Sequence, residues 1–111
     1  MNTVQEAKTY LVDKRKYLKE NSNDLFTKNG PYARKNGGIL KLAEDIGQDA
    51  ARFDSMGQRL IEMYGWNWTG TCAPNQHTTE FEWIQAFDKG LQKAYEEMKS
   101  QSIAYADILN T

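Results

Sequence analysis

The chain is poor in the residues and segments that mark secreted, membrane and metal-binding proteins. It contains one cysteine and one histidine, so it can form no intrachain disulfide, as is usual in the reducing cytosol. No apolar run approaches the roughly 20 residues that span a bilayer. The first part of the chain lacks the apolar segment of a secretory signal. The sequence therefore predicts a cytoplasmic protein, although a chain whose signal peptide has been removed would show the same features.

What is present is the composition of an ordinary globular protein. Hydrophobic residues make up 40% of the 111 residues and charged residues 26%, and six Tyr, four Phe and three Trp supply bulky core material. A packed interior is therefore expected without a metal, a cofactor or a disulfide. The length is typical of one domain, and residues 1–111 are predicted to form a single helical domain.

Three amphipathic segments predict an all-α bundle. Apolar residues recur at helical spacing over about 3–20, 39–64 and 79–109, and a short extra helix is expected near 23–35. No segment shows the alternation of a strand. The order is therefore helix, basic loop, long helix, aromatic loop, long helix.

Local signals support these boundaries. Thr3 with Glu6 and Thr79 with Glu82 have the spacing of a capping box, in which each residue satisfies the other's free backbone N–H group. Gly65 is expected to end the second helix. Gly47 lies in a row of small residues spaced by four, which predicts the close approach of a neighbouring helix; a kink at Gly47 is the alternative.

The basic loop, residues 24–38, is the first candidate site. Residues 1–38 hold eight Lys or Arg against four Asp or Glu, whereas residues 39–111 hold six against eleven. Phosphates could be met by Lys28, Arg34 and Lys35, with the Tyr32 ring stacking on a base. The Gly37-Gly38 pair before the second helix could hold an anion. A solvated loop is the simpler interpretation, because nucleic-acid-binding domains usually carry a net positive charge and this chain carries −1.

The aromatic loop, residues 65–78, is the second candidate site. Trp66, Asn67 and Trp68 lie in a glycine-bounded segment, and Trp83 is expected nearby. Tryptophan is favoured at the centres of protein interfaces, so these four residues are predicted to contact a partner protein. The alternative is that the rings close the end of the bundle. One of Trp66 and Trp68 is expected to be buried and the other exposed.

No constellation of residues predicts catalysis. Cys72 and His77 are one thiol and one imidazole, too few for a structural zinc site, and no third group completes a nucleophile arrangement. The pair Asp45 and Asp49 is expected on a solvent face, where acidic residues are ordinary, whereas acid–base catalysis would need a carboxyl group with a raised pKa in a pocket. The sequence therefore predicts a protein that is not an enzyme.

Trp68-Thr69-Gly70 lies between two predicted long helices and resembles the motif of the WXG family of small secreted helical-hairpin proteins. The chain departs from that pattern because a helix and a loop containing Gly30 and Pro31 precede the hairpin. The sequence is not assigned to the family.

These observations favour a small non-enzymatic protein-binding module: an inhibitor, adaptor or regulator that docks on a larger protein. Small helical proteins of this kind are common among accessory genes of phages and mobile elements, which makes inhibition of host machinery the most concrete hypothesis. The alternative function is nucleic-acid or nucleotide binding through the basic N-terminal third. A homo-oligomer formed through the third helix is a further alternative.

Overall fold

The computed structural model describes residues 4–73 and 76–109, and this part of the chain is all α-helical without a β-strand. The prediction of an all-α fold is confirmed, with four long helices in the described residues instead of three. The elements in chain order are α1 (Val4–Glu20), α2 (Ser22–Leu25), a 3₁₀ turn (Arg34–Asn36), α3 (Gly38–Ala50), α4 (Ser55–Cys72) and α5 (Glu80–Leu109). The short helix expected near 23–35 is represented by α2 and the 3₁₀ turn.

The molecule is elongated, with principal extents of 53 × 31 × 25 Å. The 30 residues of α5 span about 45 Å at 1.5 Å per residue, so this helix accounts for most of the long axis. Within the described residues, no helix combines the length and the apolar character that crossing a membrane requires.

The predicted long helix over 39–64 is wrong, because residues 51–54 separate α3 from α4. Phe53 is buried in this connection and continues the apolar period, which conceals the break in the sequence pattern. Asp54 then caps α4: its Oδ1 accepts a hydrogen bond from the backbone N–H of Gly57 at 2.7 Å. The joint is thus a helix end followed immediately by a capped helix start.

The predicted end of the second helix at Gly65 is also wrong, since α4 continues to Cys72. Gly65 is buried within the helix, where a Cβ atom would stand 2.8 Å from the ring of Trp83. The glycine is therefore explained by close packing against an aromatic ring of α5. Most of the predicted aromatic loop is helix.

The close helix contact predicted at Gly47 is confirmed and is reciprocal. A Cβ atom on Gly47 would overlap the carbonyl oxygen of Phe87, and one on Gly90 would overlap the carbonyl oxygen of Glu44. Each helix thus places a glycine against the backbone of the other. This glycine pair lies in the α3–α5 contact, the most extensive between helices in the described residues.

The other extensive contact joins α1 to α4. Ala7, Leu11 and Leu18 form the buried stripe of α1, and they share one core cluster with Ile61 and Trp68 of α4. These residues belong to the amphipathic segment predicted over about 3–20, whose helix is confirmed.

The capping box of α5 is confirmed. The backbone N–H of Glu82 donates to Thr79 Oγ1 at 3.2 Å, and the Thr79 backbone N–H donates to Glu82 Oε1 at 3.4 Å. The capping box predicted for Thr3 involves a residue outside the described part of the chain.

Candidate docking groove

An apolar groove of about 340 Å³ lies along the outer side of the α1–α4 contact. Helical periodicity builds it, because residues three, four and seven apart share a face of a helix. Four successive positions of one α1 face and two of α4 line this groove, which we call the docking groove: Lys8, Leu11, Val12, Arg15, Tyr64 and Trp68.

Buried side chains form the floor of the docking groove and exposed ones form its walls. Trp68 is only 6% exposed and Leu11 is also buried, so both belong to the core. Val12 is 67% exposed and Tyr64 is 47% exposed. A fixed aromatic floor with accessible apolar walls suits an inserted side chain, since a ligand would bury these walls without ordering the floor.

The charged rim of the docking groove is entirely basic. Lys8 and Arg15 are exposed residues of the lining, and neither forms a salt bridge within the described part of the chain, where the ion pair is Lys41–Asp45. Other depressions of comparable size are lined mainly by polar and charged side chains. The docking groove is therefore distinguished by its apolar lining and by the sign of its rim.

The four predicted partner-contacting residues are separated by the structure. Trp68 forms the groove floor, whereas Asn67 is exposed and Trp66 is partly buried against the core. Trp83 is completely buried and stacks on Phe87, with 5.6 Å between ring centroids. Trp83 therefore has no surface to offer a partner, and Trp68 offers only an edge of its ring.

The basic loop does not present its tyrosine freely. The Tyr32 hydroxyl donates to Asp45 Oδ2 at 2.8 Å, and its ring packs against Phe26. Burial, together with this hydrogen bond, raises the pKa of Tyr32 above its ordinary value. Lys28, Arg34 and Lys35 are exposed, but the aromatic member of the predicted phosphate site is engaged with a carboxylate.

A side chain also occupies the predicted anion position at Gly37-Gly38. Gln76 Oε1 accepts the backbone N–H of Ile39 at 3.0 Å, and Gln76 Nε2 donates to the carbonyl of Tyr32 at 3.0 Å. The amide therefore caps α3 and ties it to the loop before it. The start of α3 already has its acceptor.

A second tyrosine–aspartate pair joins α1 to α3. The hydroxyl of Tyr10 donates to Asp49 Oδ2 at 2.8 Å, while the Arg52 guanidinium lies over the Tyr10 ring, 5.3 Å from its centroid. Burial is the main cause that raises the pKa of Tyr10, and the Asp49 charge adds to it. Asp45 and Asp49 thus accept hydrogen bonds that fix tyrosines, which the predicted solvent face did not anticipate.

Cys72 lies in the core and His77 lies at the surface. The thiol is buried, and this burial raises its pKa, which disfavours the nucleophilic thiolate. His77 is exposed. Among the described residues, no group of three or more His, Cys, Asp or Glu side chains could hold a metal ion.

Sequence reasoning missed most of the docking groove, including Lys8, Val12, Arg15 and Tyr64. One signal was present: Val12 is an apolar residue that lies off the buried stripe of α1. A lone exposed apolar residue is common at protein surfaces, and only the position of α4 shows that Val12 adjoins Tyr64 and Trp68.

The chain matches no protein-family model, no curated protein and no solved structure at the level required for a match.

Proposed function

We propose that the chain is a non-enzymatic, cytoplasmic protein-binding module that captures a partner in the docking groove. The observation that carries the proposal is the combination of exposed Val12 and Tyr64 with a floor fixed by Trp68. Exposed apolar walls above a rigid aromatic floor are the usual features of a binding hot spot. A role as an inhibitor, adaptor or regulator follows from such binding.

This interface lies between α1 and α4 and not in the predicted aromatic loop. In this interface Trp68 contacts the partner as the floor of the groove. Val12 and Tyr64 supply the accessible area, because Trp83 is fully buried. The rival nucleic-acid function is less favoured because Tyr32 is bonded to Asp45 and Gln76 caps α3.

The test begins with a partner identified by mass spectrometry after capture from native extract, then purified and titrated by calorimetry. Val12→Asp should weaken binding by about 2 kcal/mol or more, as at a hot spot, because it places a charge in the apolar wall. Met98→Asp is the matched control: Met98 is 44% exposed, lies on α5 and does not line the groove.

A charge-reversed variant, Arg34→Glu with Lys35→Glu, distinguishes the rival function. It should bind the purified partner like the wild-type chain. Full binding by Val12→Asp, or loss of binding only in the charge-reversed variant, would refute docking at this groove.

A further inference from the structure

The acidic residues of the first part of α1 do not line the docking groove. Lys8 and Arg15 line the docking groove, whose lining includes no acidic side chain. Glu6 and Asp13 line a separate depression, together with the cations Lys14 and Arg52. The charged residues at the rim of the docking groove are therefore positive, although the whole chain carries a net charge of −1.

The positions of the two basic residues define a distance along α1. Lys8 and Arg15 are seven residues apart on one helix, which is about 10.5 Å at 1.5 Å per residue, or two turns. Val12 lies between them on the same face of the helix, and Tyr64 and Trp68 of α4 line the groove with it. The surface thus reads, along the helix axis, as a cation, an apolar patch and a second cation.

We propose that the occupant of the docking groove is an amphipathic helix of a partner protein that carries carboxylates seven residues apart and an apolar anchor between them. On such a helix, residues i and i+7 repeat the 10.5 Å spacing approximately, and residue i+3 or i+4 points to the same side. The carboxylates meet Lys8 and Arg15, and the anchor enters between Val12 and Tyr64. This inference rests on the proposed function and specifies the chemistry of the partner.

The same surface fits a helix better than a nucleic acid. A phosphate backbone would leave Val12 and Tyr64 against charge, and affinity for nucleic acid normally draws on more cations than the two that rim this groove. A helix with an apolar face buries both walls and places its charges at the edge of the contact, as in the helix-in-groove mode of recognition.

The experiment is a selection from a displayed library of amphipathic helices, randomised at the anchor and at the flanking charged positions, against the wild-type chain. Enriched peptides should carry Asp or Glu seven residues apart and bind about tenfold more tightly than versions with Lys at those positions, a preference that weakens with salt. Lys8→Glu with Arg15→Glu should invert the preference. Val12→Asp should abolish binding and Met98→Asp should preserve it.

The outcomes separate this inference from the proposed function. Peptides that are lost on Val12→Asp but carry neutral or basic flanks would overturn the inference and leave the docking function standing. A selection without any peptide sensitive to Val12→Asp would overturn both.

Two further measurements address other occupants. Binding of a DNA duplex that is lost in Lys8→Glu with Arg15→Glu, and kept in Val12→Asp, would assign the rim to nucleic acid. A wild-type dimer in sizing experiments that Val12→Asp dissociates would assign the groove to a second copy. Either result would overturn the inference. Circular dichroism checks that each variant folds, which is expected because these side chains are exposed.

Discussion

At the scale of single residues, two partly buried tyrosine hydroxyls make the stability of the fold depend on pH in the alkaline range. Tyr10 donates to Asp49 and Tyr32 donates to Asp45, and burial raises the pKa of both in the folded chain. An unfolded tyrosine ionises near pH 10. Their contribution is therefore complete below about pH 10 and falls as the pH rises toward the folded-state pKa, because only the unfolded chain releases the protons.

The corresponding prediction is a free energy of unfolding that decreases as the pH rises from about 10 to about 11.5. Tyr10→Phe with Tyr32→Phe should lower stability at neutral pH but flatten this decrease, since the variant has no phenol at these positions to ionise. Urea unfolding followed by circular dichroism at several pH values measures both effects. Equal slopes for variant and wild type would contradict the assignment.

The glycine pair gives a prediction whose sign opposes helix propensity. Alanine normally stabilises a helix by up to about 1 kcal/mol relative to glycine. Gly47→Ala and Gly90→Ala should instead destabilise the fold by about 1–3 kcal/mol or more, because each new methyl group overlaps a backbone carbonyl that cannot rotate away. Denaturant unfolding measures the change in free energy.

Gly57→Ala is the matched control for the glycine pair. The three atoms nearest to its Cβ atom would belong to the side chains of Phe53, Ala7 and Asp54, at 3.1–3.2 Å. A smaller loss is expected there. If Gly47→Ala stabilised the protein, the close approach of α3 and α5 would be wrong.

At the scale of the elements, predictability depended on how far apart the interacting residues lie in the chain. The α5 capping box joins residues three apart, so Thr79 and Glu82 could be found from spacing alone. The Gln76 cap of α3 joins residues 37 apart, and no local pattern encodes it. The break before Asp54 was hidden because Phe53 keeps the apolar period through a segment that is not helical.

The Asp54 cap yields the element-scale prediction. Asp54→Ala should destabilise the protein by about 1 kcal/mol, because the Gly57 N–H loses its acceptor at the start of α4. Asp54→Asn should retain most of the stability, since asparagine is an equally good cap. Thermal unfolding compares the two. Equal losses in both variants would indicate that charge, and not the capping hydrogen bond, is responsible.

At the scale of the whole molecule, the fold class was predictable and the candidate site was not. Amphipathic stripes such as Ala7, Leu11 and Leu18 are local, and they predicted the all-α fold. The docking groove depends on Val12 meeting Tyr64 and Trp68, more than 50 residues later in the chain. Such a surface arises from the pairing of α1 with α4, which helical periodicity leaves undetermined.

The long α5 predicts a gradient of protection along one helix. Residues 83–94 include the buried Trp83, Phe87 and Ala94, whereas the side chains of residues 95–101 are all exposed. Amide hydrogen exchange should therefore be slow in the first part and faster by at least tenfold in the second, because local opening there disrupts few packed contacts. Uniform protection along α5 would indicate a partner or a second copy covering residues 95–101.

The glycine pair also sets the direction of the part of α5 that extends beyond Gly90. The axis of α5 runs about 28 Å from Gly90 to its end at Leu109. A tilt of α5 by about 10° at Gly90 would therefore displace the end of the helix by about 5 Å. Because the backbones of α3 and α5 are in direct contact at the glycine pair, the angle between the two helices can change little there. A single methyl group added at Gly47 or Gly90 would therefore change the position of the C-terminal end of α5.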